Sequence, residues 1–175
     1  MRRPKPIALS VAGRIPIVRT AWSACPTPVA ATAPWHTAGV DDSARAQLAE
    51  RALSYLASFG DGDPDRIAAH VTDGFVNDHA SALGAACAGR EEYRRRLPGF
   101  LASMPGLRYE PGAPIVDGDR VAAPYELHAT GTDPDGAVVP VRIRGVMLLR
   151  FDGALIAERL DVWDALTYLR QTGRA

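Results

Sequence analysis

The hydrophobic pattern of this chain changes period near Leu107, and that change constrains the fold more than any other sequence feature. Upstream, apolar residues recur at steps of three and four, as in amphipathic helices; downstream, they alternate with polar residues, as in strands. Turn-forming Asp-Gly and Asp-Pro sequences interrupt the alternation, and the strands between them are predicted near residues 107–116, 119–131, 138–151 and 154–163. Because the connections are short, we expect hairpins and an antiparallel sheet.

Two helices are expected where the folded region begins. Asp and Ser side chains at 41–43 can cap the first helix, which should end near 60–62. The second should begin at Asp63, with Pro64 at its first helical position. Its expected buried stripe consists of Ile67, Val71 and Phe75.

Two further helices flank the predicted strands. One spans about Arg90 to Met104 and contains Pro98, which should kink or split it. The other is short, Ala165–Gln171, with Asp164 as its N-cap. Helices followed by a meander predict an α+β fold, in which the helices cover one face of a curved antiparallel sheet.

The first forty residues differ in composition from the remainder. They contain five basic residues, no acidic residue and six of the 14 prolines, so the net charge of zero is the sum of +5 in this segment and −5 in residues 41–175. We expect 1–40 to be a disordered basic, proline-rich extension and 41–175 to be the folded domain. Two alternatives remain open, a secretory signal and a translation start placed too far upstream.

Several classes of function are disfavoured by composition and motifs. Lys5 is the only lysine, the two cysteines lack metal-site spacing, and no GxSxG, HExxH, P-loop or GxGxxG motif occurs. We therefore expect no cofactor and no metal. No apolar run is long enough to span a bilayer, and the balanced charge gives no reason to expect nucleic acid or a membrane as partner. A cytoplasmic location is expected.

Two closing segments, Gly145–Gly153 and Glu158–Gly173, resemble the SnoaL-like polyketide cyclase branch of the nuclear transport factor 2-like superfamily. The resemblance covers about residues 42–173, although Thr172 stands where that family commonly has Leu. It implies a cone-shaped fold that encloses a pocket, a small hydrophobic molecule as ligand, and a homodimer formed through the sheet. The fold alone does not decide the reaction, because it hosts cyclases, isomerases, epoxide hydrolases and non-catalytic proteins.

Asp161 is the main candidate for chemistry. The resemblance implies that this aspartate, twelve residues before Gly173, is the general acid/base inside the cone. Strand alternation places it on one face with Arg159 and Trp163, where desolvation can tune a carboxylate for proton transfer. The alternative is a structural ion pair between Arg159 and Asp161.

The other candidates depend on which strand face lines the pocket. His128 could share a proton with Asp161 and Arg142 could stabilise an enolate, provided that these polar sets face inward. Asn77 and His79 are expected in a loop after the second helix, at the pocket rim. Tyr55 is expected in the core or the pocket wall. Arginines 94–96 are explained by pairing with Glu91 and Glu92 on a solvated helix face.

These observations favour a cofactor-independent enzyme acting on a small hydrophobic carbonyl compound, by aldol cyclisation or double-bond isomerisation. Asp161 would move the proton, and His128, Arg159 or Asn77 would stabilise the oxyanion. The alternative is a non-catalytic ligand-binding or interaction domain. An epoxide hydrolase is a third possibility, which requires an arginine and two carboxylates around one water molecule.

Overall fold

A computed structural model describes residues 41–175, so the expected extension, 1–40, lies outside the described residues. Four α-helices lie in the described part: α1 Asp42–Ser58, α2 Pro64–Ala68, α3 Arg90–Ser103 and α4 Ala165–Gln171. A single 3₁₀ turn, Phe59–Asp61, extends α1. None of the helices in residues 41–175 is both long and apolar enough to cross a membrane.

The helix caps confirm the boundary predictions. Asp63 accepts hydrogen bonds from the amides of Asp65 and Arg66, at 2.9 and 3.4 Å, directly before Pro64. Asp164 accepts from the amide of Thr167 at 3.0 Å, and Thr167 Oγ1 also donates to it at 2.6 Å. Asp164 therefore acts as the N-cap of α4. Of the two effects expected of Pro98, a kink or a split, the split does not occur, because α3 runs through Pro98 without a break.

Seven strands form one sheet: β1 Val71–His79, β2 Cys87–Ala88, β3 Arg108–Pro111, β4 Ile115–Asp117, β5 Arg120–Thr132, β6 Val138–Asp152 and β7 Leu155–Trp163. Their order is β2-β1-β7-β6-β5-β3, with β4 also paired to β5. The meander from β3 to β7 is antiparallel, as predicted, but the single strand expected at 107–116 is two strands, β3 and β4, which both pair with β5. Two-residue turns, Gly118-Asp119 and Gly153-Ala154, precede β5 and β7. Gly118 and Gly153 adopt a φ of 58° in these turns, a conformation that glycine reaches without steric cost.

Strand β1 corrects the predicted second helix. Helix α2 ends at Ala68, and Val71–His79 is a strand that pairs in parallel with β7, so the sheet is mixed rather than purely antiparallel. The four-residue spacing of Val71 and Phe75 fits one face of a helix, but it is also an even number. Both side chains therefore share one face of a strand equally well.

The helices pack on the inner face of the sheet. An edge-to-face contact joins the two layers, with the ring centroids of Phe59 and Tyr109 5.2 Å apart. A second such contact lies within the sheet, between Tyr109 on β3 and Tyr125 on β5, with centroids 4.9 Å apart. On β5 the inward residues are the buried Val121, Ala123, Tyr125 and Leu127. The helices thus cover one face of the curved sheet and leave a cavity against it.

Candidate active site

A cavity of about 560 Å³ lies between α3 and the inner face of the sheet. Its size suits a small organic molecule. Most of its lining is apolar or aromatic: Phe59, Tyr93, Leu97, Phe100, Met104, Tyr109, Tyr125, Leu127, Ile143, Trp163 and Tyr168. The polar contribution includes Asn77, His79, Arg159 and Asp161, which come from two adjacent strands.

The parallel pairing of β1 with β7 brings these four polar residues together. Asn77 lies beside Arg159 in the register, and His79 lies beside Asp161. Because alternate residues of a strand point to the same face, both pairs face the cavity. Asn77 and His79 were expected at the pocket rim in a loop; they line the cavity, but from a strand.

Asp161 is buried with 4% of its surface exposed. The hydroxyl of Tyr125 donates a hydrogen bond to Asp161 Oδ1 at 2.7 Å. Burial, and next the charge of Asp161, raise the pKa of Tyr125 well above its usual range, so the phenol stays neutral and remains a donor. Asp161 Oδ2 lies 3.6 Å from Arg159 Nη2, which is beyond hydrogen-bonding distance.

Arg159 is 6% exposed and is held from behind by two tyrosines. Its Nη1 donates to the Tyr55 hydroxyl at 2.9 Å, and that hydroxyl lies 2.6 Å from the Tyr93 hydroxyl. The guanidinium carbon is 6.0 Å from the centroid of the Tyr93 ring. Tyr55 is completely buried and does not line the cavity; it contacts Arg159 instead of a ligand.

His79 and Asn77 contact one another, with Asn77 Nδ2 and His79 Nε2 3.3 Å apart. Burial, and next the charge of Arg159, lower the pKa of His79, and the opposing charges of Asp161 and Asp78 only partly offset this. The imidazole is therefore mainly neutral near pH 7 and has one donor and one acceptor nitrogen.

Residues 52–159 match the family model of the SnoaL-like domain. The chain belongs to the SnoaL-like family. The match ends two residues before Asp161, so it establishes the fold and leaves the role of that carboxylate to the geometry. No curated protein sequence matches this SnoaL-like chain.

Solved structures share the fold of this SnoaL-like domain at low sequence identity. A proposed SnoaL-like polyketide cyclase from Shewanella denitrificans is 18% identical, with a TM-score of 0.64 over 73% of this chain and 98% of that one. A protein with a ketosteroid isomerase-like fold from Catenulispora acidiphila, in complex with trimethylamine, is 20% identical, with a TM-score of 0.61 over 72% and 94%. AclR, a proposed hydroxylase from Streptomyces galilaeus, is 23% identical, with a TM-score of 0.60 over 75% and 87%.

His128 and Arg142 lie on the outer face of the SnoaL-like sheet and do not line the cavity. His128 Nε2 is 3.0 Å from Glu126 Oε1 and 3.2 Å from Glu110 Oε2, and Arg142 Nε binds Glu126. The expectation that these residues act with Asp161 does not fit this placement, because on β5 the polar set faces outward. The sheet itself separates His128 from Asp161.

One group of potential metal ligands occurs within residues 41–175, and it lies on this outer face: Glu110, Glu126 and His128. Arg142 and Arg144 already bind Glu126, the latter at 3.3 Å between Nε and Oε2. A cation would have to displace both guanidinium groups, so the charges present there oppose a metal ion.

Sequence reasoning missed Tyr125 and Tyr109 as site residues. Tyr125 belongs to the apolar set of β5, between the buried Ala123 and Leu127. A tyrosine on a buried strand face was the available signal, since its hydroxyl needs a hydrogen-bond partner there. Arg95 and Arg96 pair with Glu92, as predicted, and also border the cavity. Arg94 was expected to pair with Glu91 or Glu92, but it binds Asp65 of α2 instead.

Proposed function

We propose that this SnoaL-like domain binds a small hydrophobic carbonyl compound and transfers a proton on it through Asp161, without a cofactor. One observation carries the proposal: a buried carboxylate lies at the floor of a mainly apolar cavity, with one oxygen held by Tyr125 and the other not hydrogen-bonded to Arg159. Carboxylates are seldom buried without a partner or a task.

In the proposed reaction, Asp161 Oδ2 removes a proton from the carbon next to the ligand's carbonyl group. The electron pair of that C–H bond forms a carbon–carbon double bond, and the π pair of the carbonyl group moves onto its oxygen, which becomes an enolate oxygen. Arg159, as a buried cation 3.6 Å from the carboxylate, is placed to stabilise that charge. The enolate carbon then attacks a second carbonyl carbon, or a different carbon is reprotonated, and Asp161 returns the proton to the alkoxide or carbon.

A non-catalytic binding domain is the second candidate, and one observation favours it. Tyr125 binds Asp161, and Tyr55 and Tyr93 hold Arg159, so both charged groups have partners within the chain itself. Such a network can be purely structural. The epoxide hydrolase alternative fits less well, because Asp161 is the only carboxylate among the described residues that line the cavity.

The deciding experiment measures exchange of carbon-bound hydrogen for deuterium, by proton NMR in D₂O, on the enolisable ketones 1-indanone, 2-tetralone and acetylacetone. Asp161→Asn should slow the catalysed exchange by roughly 10² to 10⁴, the usual contribution of a positioned acid or base. Glu158→Gln, on the same strand with a side chain that is 54% exposed, is the matched control and should retain the wild-type rate. Exchange at the wild-type rate in Asp161→Asn would exclude the assigned role, whereas binding with no exchange by the wild type would favour the binding domain.

We also propose that two copies pair through the outer face of the sheet. Val76, Leu148 and Val162, on three adjacent strands, are each between 42% and 44% exposed there. Exposed apolar residues that cluster on a sheet indicate an interaction surface. Leu148→Glu should convert a dimer into a monomer in sedimentation velocity; a wild-type protein that sediments as a monomer at high micromolar concentration would contradict the proposal.

A further inference from the structure

Three buried polar atoms at the cavity floor have no hydrogen-bond partner: Asn77 Oδ1, His79 Nδ1 and Arg159 Nε. Only two other such side-chain atoms, on Arg45 and His128, occur in residues 41–175. An unpaired buried polar atom costs free energy, so most are satisfied in folded proteins. The three residues line the cavity from two neighbouring strands, where one bound group could satisfy their free atoms.

The hydrogen-bonding character of this trio follows from its chemistry. If Asn77 donates from Nδ2 to His79 Nε2, then Asn77 Oδ1 is a free acceptor and protonated Nδ1 of neutral His79 is a free donor. If the amide is turned round and accepts from His79 Nε2, its nitrogen becomes the free donor and His79 Nδ1 the free acceptor. Either orientation leaves one donor and one acceptor. Arg159 Nε adds a second donor.

We propose that Asn77, His79 and Arg159 form a subsite that binds a hydroxyl group. A hydroxyl has one donor and two acceptor lone pairs, which matches two donors and one acceptor. A ketone or carboxylate oxygen only accepts, and an ammonium group only donates, so each leaves part of the trio unpaired. The subsite deepens the proposed function, because it rests on the cavity as the ligand site and not on proton transfer by Asp161.

The geometry around His79 makes the subsite rigid. Gly84 packs directly on the His79 side chain, and a Cβ at position 84 would collide with it. The loop that carries Gly84 is closed by a hydrogen bond from its amide to the Ser81 carbonyl, at 2.9 Å. A preformed site of this kind binds without first ordering its side chains.

Two sources could supply the hydroxyl, a ligand or an ordered water molecule. The probes that separate them are 2-indanol, indane and 2-methoxyindane, which share one apolar frame; the ether accepts but cannot donate. Dissociation constants come from ligand-observed NMR with the full-length protein. We expect 2-indanol to bind at least tenfold more tightly than either analogue. This preference runs against the hydrophobic effect, which contributes more to the binding free energy of indane than of 2-indanol.

Asn77→Leu keeps a similar volume and removes both polar atoms, so it should abolish the preference for 2-indanol and change the affinity for indane less than twofold. Asn77→Ser retains a hydroxyl, should restore part of the preference, and serves if the leucine variant does not fold. Ser103→Ala, at another cavity-lining residue, is the matched control and should change neither affinity.

Two further measurements separate this subsite from the proposed reaction and from bound water. Asp161→Asn should retain the preference for 2-indanol even if exchange activity is lost, or if none exists in the wild type. The ¹⁵N signals of the His79 ring should shift with 2-indanol and not with indane. Equal affinities for 2-indanol and indane, with unchanged His79 signals, would mean that water keeps the position and would overturn the proposal, as would a preference that survives in Asn77→Leu.

Discussion

The two faces of the sheet carry similar ionic side chains in different surroundings. On the inner face, Arg159 and Asp161 are at most 6% exposed and lie among tyrosines. On the outer face, Glu126 binds Arg142 and Arg144, whose side chains are 65% and 87% exposed. Charges interact more strongly where water is excluded, and an unpaired charge costs more there. The loss of one partner of an ion pair should therefore cost little stability on the outer face and much on the inner face.

Removal of one arginine from each face gives the largest contrast. Arg159→Met leaves Asp161 as an uncompensated buried charge, and it should lower the free energy of unfolding by about 3–5 kcal/mol. Arg142→Met removes an exposed partner of Glu126 and should cost about 0–1 kcal/mol. Urea denaturation of both variants measures the difference.

The double variant Arg159→Met/Asp161→Leu sharpens this test. A buried ion pair replaced by apolar residues of similar volume is often neutral or stabilising, so most of the lost stability should return. Equal losses for Arg159→Met and Arg142→Met would show that water reaches the inner pair, and the contrast between the faces would fail.

A smaller effect is expected at Gly145, which lies opposite Tyr125 in the β5–β6 register. A Cβ at this position would overlap the Tyr125 hydroxyl and come within 2.8 Å of the Val162 carbonyl oxygen. Gly145→Ala should therefore displace that hydroxyl from Asp161 and destabilise the fold by about 1–3 kcal/mol. Gly74→Ala is the control, since no atom lies within 4 Å of its added Cβ.

The two glycine variants should differ in their free energies of unfolding. Gly74→Ala should be neutral or stabilising by about 0.5–1 kcal/mol, because alanine restricts the unfolded chain. If Gly145→Ala were equally harmless and kept the wild-type rate of deuterium exchange, the close approach of Tyr125 to Asp161 would not require glycine.

Much of the fold could be predicted because its signals are local. Asp-Gly turns set the strand ends to within about two residues, and Asp164 with its following helix was predicted correctly. Strand β1 was missed because its pairing with β7 is long-range and parallel. Such a pairing has no hairpin turn beside it that the sequence could show. The short helix α2 and the strand share the four-residue apolar spacing, which alone cannot separate them.

The site was predicted most fully where one strand contains it, since Asn77 and His79 were expected at the pocket but in a loop. Arg159, Asp161 and Trp163 share a face of β7, as alternation indicated, although a register shift near Arg150 puts Ile156 inside as well. For β5, alternation left open whether the polar set with His128 or the apolar set with Tyr125 faces the cavity. Packing against the helices decides which face of the strand is the inner one. The alternation within a single strand does not show which face the helices cover.

The smallest expected effect is the titration of His79, which is partly exposed and beside both inner charges. Burial, and next Arg159, lower its pKa below the ordinary 6.5. Below pH 6.5 the unfolded chain therefore takes up the proton first, so this histidine's contribution to stability is complete above 6.5 and is lost as the pH falls through the folded pKa. NMR titration of the ring should show this lowered pKa directly.

Two variants test which charge dominates. Arg159→Met should raise the His79 pKa, and Asp161→Asn should lower it further. His70, whose pKa is lowered by burial and next by Arg66, is the control and should not respond to Asp161→Asn. A His79 pKa above 6.5 in the wild type would mean that Asp161, and not Arg159, dominates the charge of the inner face.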